Sequence, residues 1–264
     1  MPQKLGQHFL KNEAAIKKIV AALDLQPGET IVEIGPGHGE LTDCLLASPA
    51  GKIIAIEKDS SLAENLRSQI LDSRFQVITG DILKILPKIQ DLKSKIYKLV
   101  GNIPYYITGF LFRIIGELEN KPSLIVFTIQ KEVAERIVAK PPRMNLLAAS
   151  VQIWAEPEIL MTLPPEDFDP PPKVTSAIIK LKTKNNELGI MNNGNYYKLI
   201  KIIFKQPRKT LFNNIRTSDV LTLGEEEIKK RLEKIDLTGE ERGQDLSIEK
   251  LVELSIVFPT IPNS

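Results

Sequence analysis

The sequence predicts an α/β protein: a parallel sheet wound with helices, followed by a small all-helical C-terminal part. Three observations carry this. Short β-branched runs alternate with amphipathic helical patterns from Thr30 to Val138. A glycine-rich turn, Gly35-Pro36-Gly37-His38-Gly39, follows the first of those runs directly. Beyond Tyr196 the β pattern stops and only helical periodicity remains.

The elements follow in order. Residues 1–11 form a short arm. Asn12 is placed to cap a helix whose apolar positions are Ile16, Ile19, Val20 and Leu23, and Gln26-Pro27-Gly28 ends it. Thr30–Ile34 is the first strand, and a helix starts near Glu40 after the glycine turn. Lys52–Ile56 is the second strand, ending at Glu57, and Leu62, Leu66 and Ile70 mark the next helix. Phe75–Thr79 is the third strand, ending in Gly80-Asp81; Tyr97–Gly101 is the fourth, ending in Asn102. Ser123–Ile129 is the fifth, with a helical pattern over Val133–Val138. Glu158–Thr162 and Thr175–Leu181 have no helix between them, so they are expected as an antiparallel, hairpin-like edge. Lys184–Gly194, polar and rich in Asn and Gly, suits a linker between domains 1–184 and 195–264. Three or four helices then occupy Tyr196–Phe258.

Composition excludes several function classes. The chain has 264 residues, 42% hydrophobic and 26% charged, enough apolar content for a sizeable core. A single cysteine, Cys44, rules out an internal disulfide, and two histidines, His8 and His38, make a metal site improbable, so no metal is expected. No apolar run is long enough to cross a bilayer, and the N-terminus lacks the apolar core of a secretory signal. A cytoplasmic protein without membrane contact is expected. The net charge of +2 is uninformative by itself. Its distribution is not. From Leu188 to Ser218 there are six basic residues, Lys198, Lys201, Lys205, Arg208, Lys209 and Arg216, and no acid. Such a block is either a phosphate-binding footprint or a solvated helix face.

The glycine turn carries the first chemical signal. At the end of a first parallel strand, glycines let the chain turn sharply and let a nucleotide-like ligand approach. The spacing is G-x-G-x-G, not the dinucleotide G-x-G-x-x-G, and no Gly-Lys-Ser/Thr follows, which disfavours a nicotinamide-dependent reductase and a P-loop. The alternative for the loop alone is a tight turn. Glu57, ending the second strand, can accept from both ribose hydroxyls of an adenosine, or be an ordinary strand-end acid. Asp81, after the third strand, can accept from the adenine amine. Gly35, Gly37, Glu57 and Asp81 on one sheet edge suit an adenosine ligand without a pyrophosphate, such as S-adenosylmethionine.

Asn102-Ile103-Pro104-Tyr105 is the most informative tetrapeptide. The N6 amine of adenine is a poor nucleophile because its lone pair is delocalised into the ring. The Asn102 side-chain carbonyl and the Ile103 backbone carbonyl can accept its N–H bonds and favour a tetrahedral nitrogen. Pro104 stiffens the turn and Tyr105 stacks on the base. The sulfonium is already a good leaving group, so positioning supplies much of the rate and no strong base is needed.

Together VEIGPGHGELT, AIEKD, GD, NIPY and DFDPPPKVTSAIIKL resemble the ribosomal RNA adenine N6,N6-dimethyltransferases of the KsgA type, and KLGQHFLKNE and RKTLFNN extend the likeness over about residues 3–258. The resemblance implies a Rossmann-like class I methyltransferase sheet with a helical RNA-binding domain. It implies that His8, Leu10, Gly35, Glu57, Asp81 and Asn102 contact S-adenosylmethionine, and that Tyr105 and Phe168 sandwich the target adenine. It further implies a substrate of two neighbouring adenosines near the 3′ end of small-subunit rRNA, each methylated twice. His8 stands where many relatives carry Asn; Arg143-Met144-Asn145-Leu146 replaces a stretch often containing Tyr-Gly; Gln244 stands where Glu is common. The prolines after Phe168 hold that segment rigid, though core packing is the other reading of its ring. Lys205, Arg208, Lys209 and Arg216 are the expected phosphate contacts, giving salt-sensitive binding and recognition by shape. The expected partner is small-subunit rRNA in an assembling particle, with the enzyme a monomer. Competing readings are a large-subunit rRNA methyltransferase of the resistance type, against which Arg208–Asn214 argues, and a non-catalytic nucleic-acid-binding factor on the same fold.

Overall fold

The computed structural model describes residues 7–89, 96–184 and 194–260. Its strands are β1 (Phe9–Leu10), β2 (Thr30–Ile34), β3 (Lys52–Glu57), β4 (Phe75–Thr79), β5 (Tyr97–Asn102), β6 (Leu124–Gln130), β7 (Ala155–Leu163), β8 (Phe168–Asp169) and β9 (Ser176–Thr183). Its helices are α1 (Glu13–Ala22), α2 (Glu40–Leu46), α3 (Ser60–Gln69), α4 (Ile82–Ile85), α5 (Thr108–Glu117), α6 (Lys131–Ile137), α7 (Leu146–Gln152), α8 (Gly194–Ile203), α9 (Leu211–Arg216), α10 (Glu225–Glu233) and α11 (Ile248–Val257). The chain forms two compact units, 1–135 with 155–184 and 136–154 with 185–264.

The first unit is built on a seven-stranded sheet of order β4-β3-β2-β5-β6-β9-β7. β4, β3, β2, β5 and β6 are mutually parallel; β9 runs antiparallel to both β6 and β7. The expected antiparallel edge is therefore present, with β9 inserted between β6 and β7. β2 and β6 are buried along nearly their whole length because helices cover both faces of a parallel sheet. Helix starts are locally encoded. Asn12 accepts from the Ala15 N–H at α1, and Asp59 accepts from Ser61 and Leu62 at α3.

The register positions the site. Ile34 pairs with Ile56 and Gly101, and Glu57 with Thr79, so the carboxyl ends of β2, β3, β4 and β5 lie level. The strand order changes direction between β2 and β5. That is the switch point where open α/β sheets bind ligands.

Two features depart from expectation. Residues 9–10 of the arm form β1 and pair with β8, Leu10 opposite Phe168. Residues 136–154, assigned by sequence to the methyltransferase domain, belong to the compact unit of the C-terminal helices. There α7 packs on α8 and α11, the Tyr196 hydroxyl donates to the Ala149 carbonyl (3.0 Å), and the Met144 N–H donates to the Gln244 carbonyl (3.0 Å). The expected boundary followed chain order, whereas burial follows the apolar face of α7. Residues 185–193 of the expected linker and 1–6 of the arm lie outside the described residues. Among the described residues no helix is long and apolar enough to cross a membrane, and no His/Cys/Asp/Glu group could hold a metal.

Candidate active site

A pocket opens at the carboxyl ends of β2, β3 and β5, and its wall includes His8, Gly35, Gly37, Glu57, Asp81 and the whole tetrapeptide Asn102–Tyr105. Nine of the eleven residues expected to bind cofactor or target base are thus brought together. Phe168 is not, and Leu10 instead lines a separate, smaller cavity with Phe9, Gly35 and Asn102.

Gly37 shows why the loop needs glycine. Its φ is +61°, and an added Cβ would lie 2.7 Å from the Phe9 ring. Phe9 closes over the loop, and its ring centroid is 4.2 Å from that of His38. Phe9 lines the pocket, yet it was missed from sequence. The signal was faint: an apolar residue in an arm with no periodicity.

Glu57 is only 4% exposed. Its Oε1 accepts from the Asp59 N–H (2.8 Å) and its Oε2 from the Gly37 N–H (3.3 Å). Burial pushes this carboxyl up from its ordinary range, while those backbone N–H groups hold it down, and burial prevails. Asp81 is opposite in outcome. Burial works against its ionisation, but the Lys58 ammonium (3.1 Å) and the Leu83 N–H (3.0 Å) outweigh it and lower the pKa. One wall therefore offers two carboxylates of different character, with Ile56 and Ile82 as apolar surface between them. That donor set fits an adenosine: acceptors for ribose hydroxyls, an acceptor near the ring amine, apolar faces, and a loop whose glycines leave room.

Asn102 is held by its own amide. Nδ2 donates to the His8 carbonyl (2.6 Å), so Oδ1, the acceptor end, has no protein donor among the described residues. The same bond fixes the arm against the sheet. His8 also engages through Nδ1, 2.7 Å from the Pro170 carbonyl oxygen. Its ring lies near-parallel to that of Tyr105, 25° between planes and 6.0 Å between centroids. Tyr105 is anchored at its far end by a 2.7 Å hydrogen bond between its hydroxyl and Ser176 Oγ, and burial raises its pKa. Ser176 was also missed; only the β9 register beside β6 brings it there.

Phe168 requires a correction. It is 1% exposed and packs in the core with Leu10, Ile16, Ile19 and Leu163. The antiparallel pairing of β1 and β8 turns Leu10 and Phe168 inward together, and Asp169 outward. The aromatic ring facing Tyr105 is that of His8. Leu10 likewise fills the core, and Gln7, His8 and Phe9 form the pocket wall on that side.

The helical unit holds the basic block. Lys205 pairs with Asp219 (3.6 Å) and Arg216 with Glu225 (2.9 Å), whereas Arg208 and Lys209 are exposed with no ion pair among the described residues. The structure thus divides four expected RNA contacts into two that carry exposed ion pairs and two without an ion pair among the described residues.

A family model described as ribosomal RNA adenine dimethylase matches residues 2–257. The chain is 36% identical over 261 residues to a ribosomal RNA small subunit methyltransferase A of Dehalococcoides mccartyi, covering 98% of this chain and 88% of that protein. Its structure is similar to that of a dimethyladenosine transferase from Plasmodium falciparum, with TM-score 0.82, 26% identity, and 94% of this chain and 96% of the other covered. The 23S rRNA methyltransferase ErmE is similar at TM-score 0.73 and 22% identity, over 95% of this chain and 99% of the other, a likeness of fold alone.

Proposed function

The chain belongs to the ribosomal RNA adenine dimethylase family, and from that premise we propose that its substrate is small-subunit rRNA. The reaction is S-adenosylmethionine-dependent dimethylation of the N6 amine of adenine in ribosomal RNA. We further propose two neighbouring adenosines near the 3′ end as targets, presented in an assembling small-subunit particle to a monomeric cytoplasmic enzyme. The relatives named for the small subunit support the choice of subunit.

The observation that carries the mechanism is Asn102, tied through Nδ2 to the His8 carbonyl with Oδ1 left to the pocket. When bound, S-adenosylmethionine supplies a methyl carbon made electrophilic by a positively charged sulfur. Glu57 and Asp81 hold the adenosine part; the Gly35–Gly37 loop gives it room. Asn102 Oδ1 and the Ile103 carbonyl accept the two N6–H bonds of the target adenine. That draws the nitrogen toward a tetrahedral shape and localises its lone pair. Tyr105, braced by Ser176, fixes the plane of the base. The N6 proton released after transfer passes to solvent. No strong protein base is required, because the positive charge passes to N6 with the methyl and makes its remaining proton acidic enough to leave to water.

The test uses unmodified small- and large-subunit particles with labelled cofactor, followed by mass spectrometry of the rRNA. Dimethyladenosine in the small-subunit RNA alone is the expected result. Label confined to the large subunit would reverse the assignment.

A further inference from the structure

Helix α5 and the 3-10 turn that leads into it (Tyr105–Ile107) sort their residues by face. Leu111, Phe112 and Ile115 are buried, while Tyr106, Gly109, Phe110 and Arg113 are exposed. Positions 106, 109, 110 and 113 recur at helical spacing and form one stripe. That stripe presents two large rings to water, Tyr106 at 55% and Phe110 at 63% exposure. Gly109 lies between them, and an added Cβ there would meet no atom within 4 Å. The core does not need these rings, since α5 has a separate apolar face. The stripe begins at the active site: Tyr106 lines the pocket next to Tyr105, and Lys58 adds a cation at the same rim. At its outer end the Arg113 guanidinium is largely in solvent, with the i,i+4 partner Glu117 (3.0 Å) as its ion pair among the described residues.

We propose that Tyr106 and Phe110 form a stacking platform for the nucleotide adjoining the target adenosine, in the same RNA strand. The proposal rests on the reading of this site as an RNA adenine methyltransferase. A base that enters the pocket must leave its stack, and its neighbour then loses a stacking partner. An exposed aromatic ring one helical turn from the pocket rim replaces that partner. Phe110 has no hydrogen-bonding group, so it holds a base by its face and accepts any base identity. Tyr106 sits in the turn at the pocket rim and Phe110 in the first turn of α5, so the two rings follow one another outward from the pocket. Arg113 lies one turn further, in position to meet a phosphate of the same strand. Continuity with the pocket selects RNA as the occupant, because the strand that delivers the base must cross this rim.

The experiment compares Phe110→Ala, Phe110→Leu and Phe110→Trp in the full chain, with unmodified small-subunit particles as substrate. Loss of one stacked base should raise the KM for particles roughly 5- to 150-fold in both the Ala and Leu variants. Cofactor affinity and the rate at saturating particles should stay at wild-type values. Phe110→Trp should restore KM, and its added indole emission should be quenched by an RNA oligonucleotide carrying the target segment. An unchanged KM in Phe110→Ala overturns the platform. So does a wild-type KM in Phe110→Leu, which would mean plain apolar contact with a protein. If the wild type binds cofactor but methylates no small-subunit particle, the proposed function fails first and the platform falls with it.

Discussion

Replacing Glu33 by Gln should make the sheet unit markedly less sensitive to rising pH. Glu33 sits in the middle of the sheet on β2, 1% exposed, with Thr42 Oγ1 donating to its Oε2 at 2.7 Å. Burial, opposed by that hydrogen bond and reinforced by the charges of Glu40, Glu57 and Asp43, pushes its carboxyl from 4.5 up to about 8. At neutral pH it is therefore mostly protonated. A folded-state pKa above the unfolded value means the folded form holds its proton more tightly. The resulting stability is fully present below about pH 4.5 and is lost as pH rises through about 8. At ~1.4 kcal/mol per pH unit inside that window, the wild type should lose roughly 2 kcal/mol between pH 6 and pH 8 from this group alone. Gln cannot ionise, and its Oε1 still accepts from Thr42. Its unpartnered amide N–H bonds cost about 1–3 kcal/mol, but that cost is the same at every pH. The diagnostic is therefore the slope. Amide hydrogen exchange across Thr30–Ile34, corrected for intrinsic rates, reads the opening free energy of this unit without assuming that both units unfold together. The stability of Glu33→Gln relative to wild type should rise by roughly 2 kcal/mol from pH 6 to pH 8. A flat difference would mean that Glu33 is already ionised at pH 6, and the linkage argument would be wrong.

Four other outcomes follow from the geometry. Asn102→Ala should lower kcat by about 100-fold or more, since an amine-polarising acceptor is lost; losing the His8 tether should weaken cofactor binding by only about fivefold, measured by calorimetry. Glu57→Ala should leave saturated turnover largely intact but raise the cofactor Kd roughly 10- to 150-fold; unchanged affinity would refute the ribose contact. Phe168→Leu should keep most methyl transfer, because it preserves core volume, whereas Phe168→Ala should cost about 3–5 kcal/mol in denaturant titration; a Leu variant as inactive as Tyr105→Leu would return Phe168 to the base. Joint replacement of Arg208 and Lys209 by Ala should reduce the log–log salt slope of RNA binding by about 1.5, and joint replacement of Lys205 and Arg216 by clearly less, because Asp219 and Glu225 already offset them.

Much of the site was legible because parallel α/β topology converts chain order into a sheet edge. Once Thr30–Ile34, Lys52–Glu57, Phe75–Thr79 and Tyr97–Asn102 are strands in one direction, Gly35, Glu57, Asp81 and Asn102 must emerge on the same side. No side-chain contact needs to be known. What stayed hidden depended on pairings between distant segments. β1 and β8 are two residues each, too short for any periodic signal, yet their pairing decides that Leu10 and Phe168 face the core. The domain boundary was hidden for the same reason. α7 carries an apolar face that satisfies either unit on paper, and only its packing on α8 and α11 assigns it.

The arm ties the pocket to the core through one short segment. Three consecutive residues do separate jobs: the His8 carbonyl orients Asn102, the Phe9 ring occupies the space that a Cβ at Gly37 would need, and Leu10 packs into the core opposite Phe168. Residues 94 positions apart in the chain, His8 and Asn102, thereby share one hydrogen bond between the arm and the end of β5. Alternation along a strand makes this possible, since Phe9 turns to the pocket while Leu10 anchors the arm in the core. A perturbation that loosens Leu10 or Phe168 consequently frees His8, and with it the orientation of Asn102, without touching the pocket. Cavity-forming substitutions at this pairing, such as Leu10→Ala or Phe168→Ala, should therefore depress turnover before they unfold the sheet, a signature that a cavity elsewhere in the same core, such as Leu45→Ala in α2, should not produce.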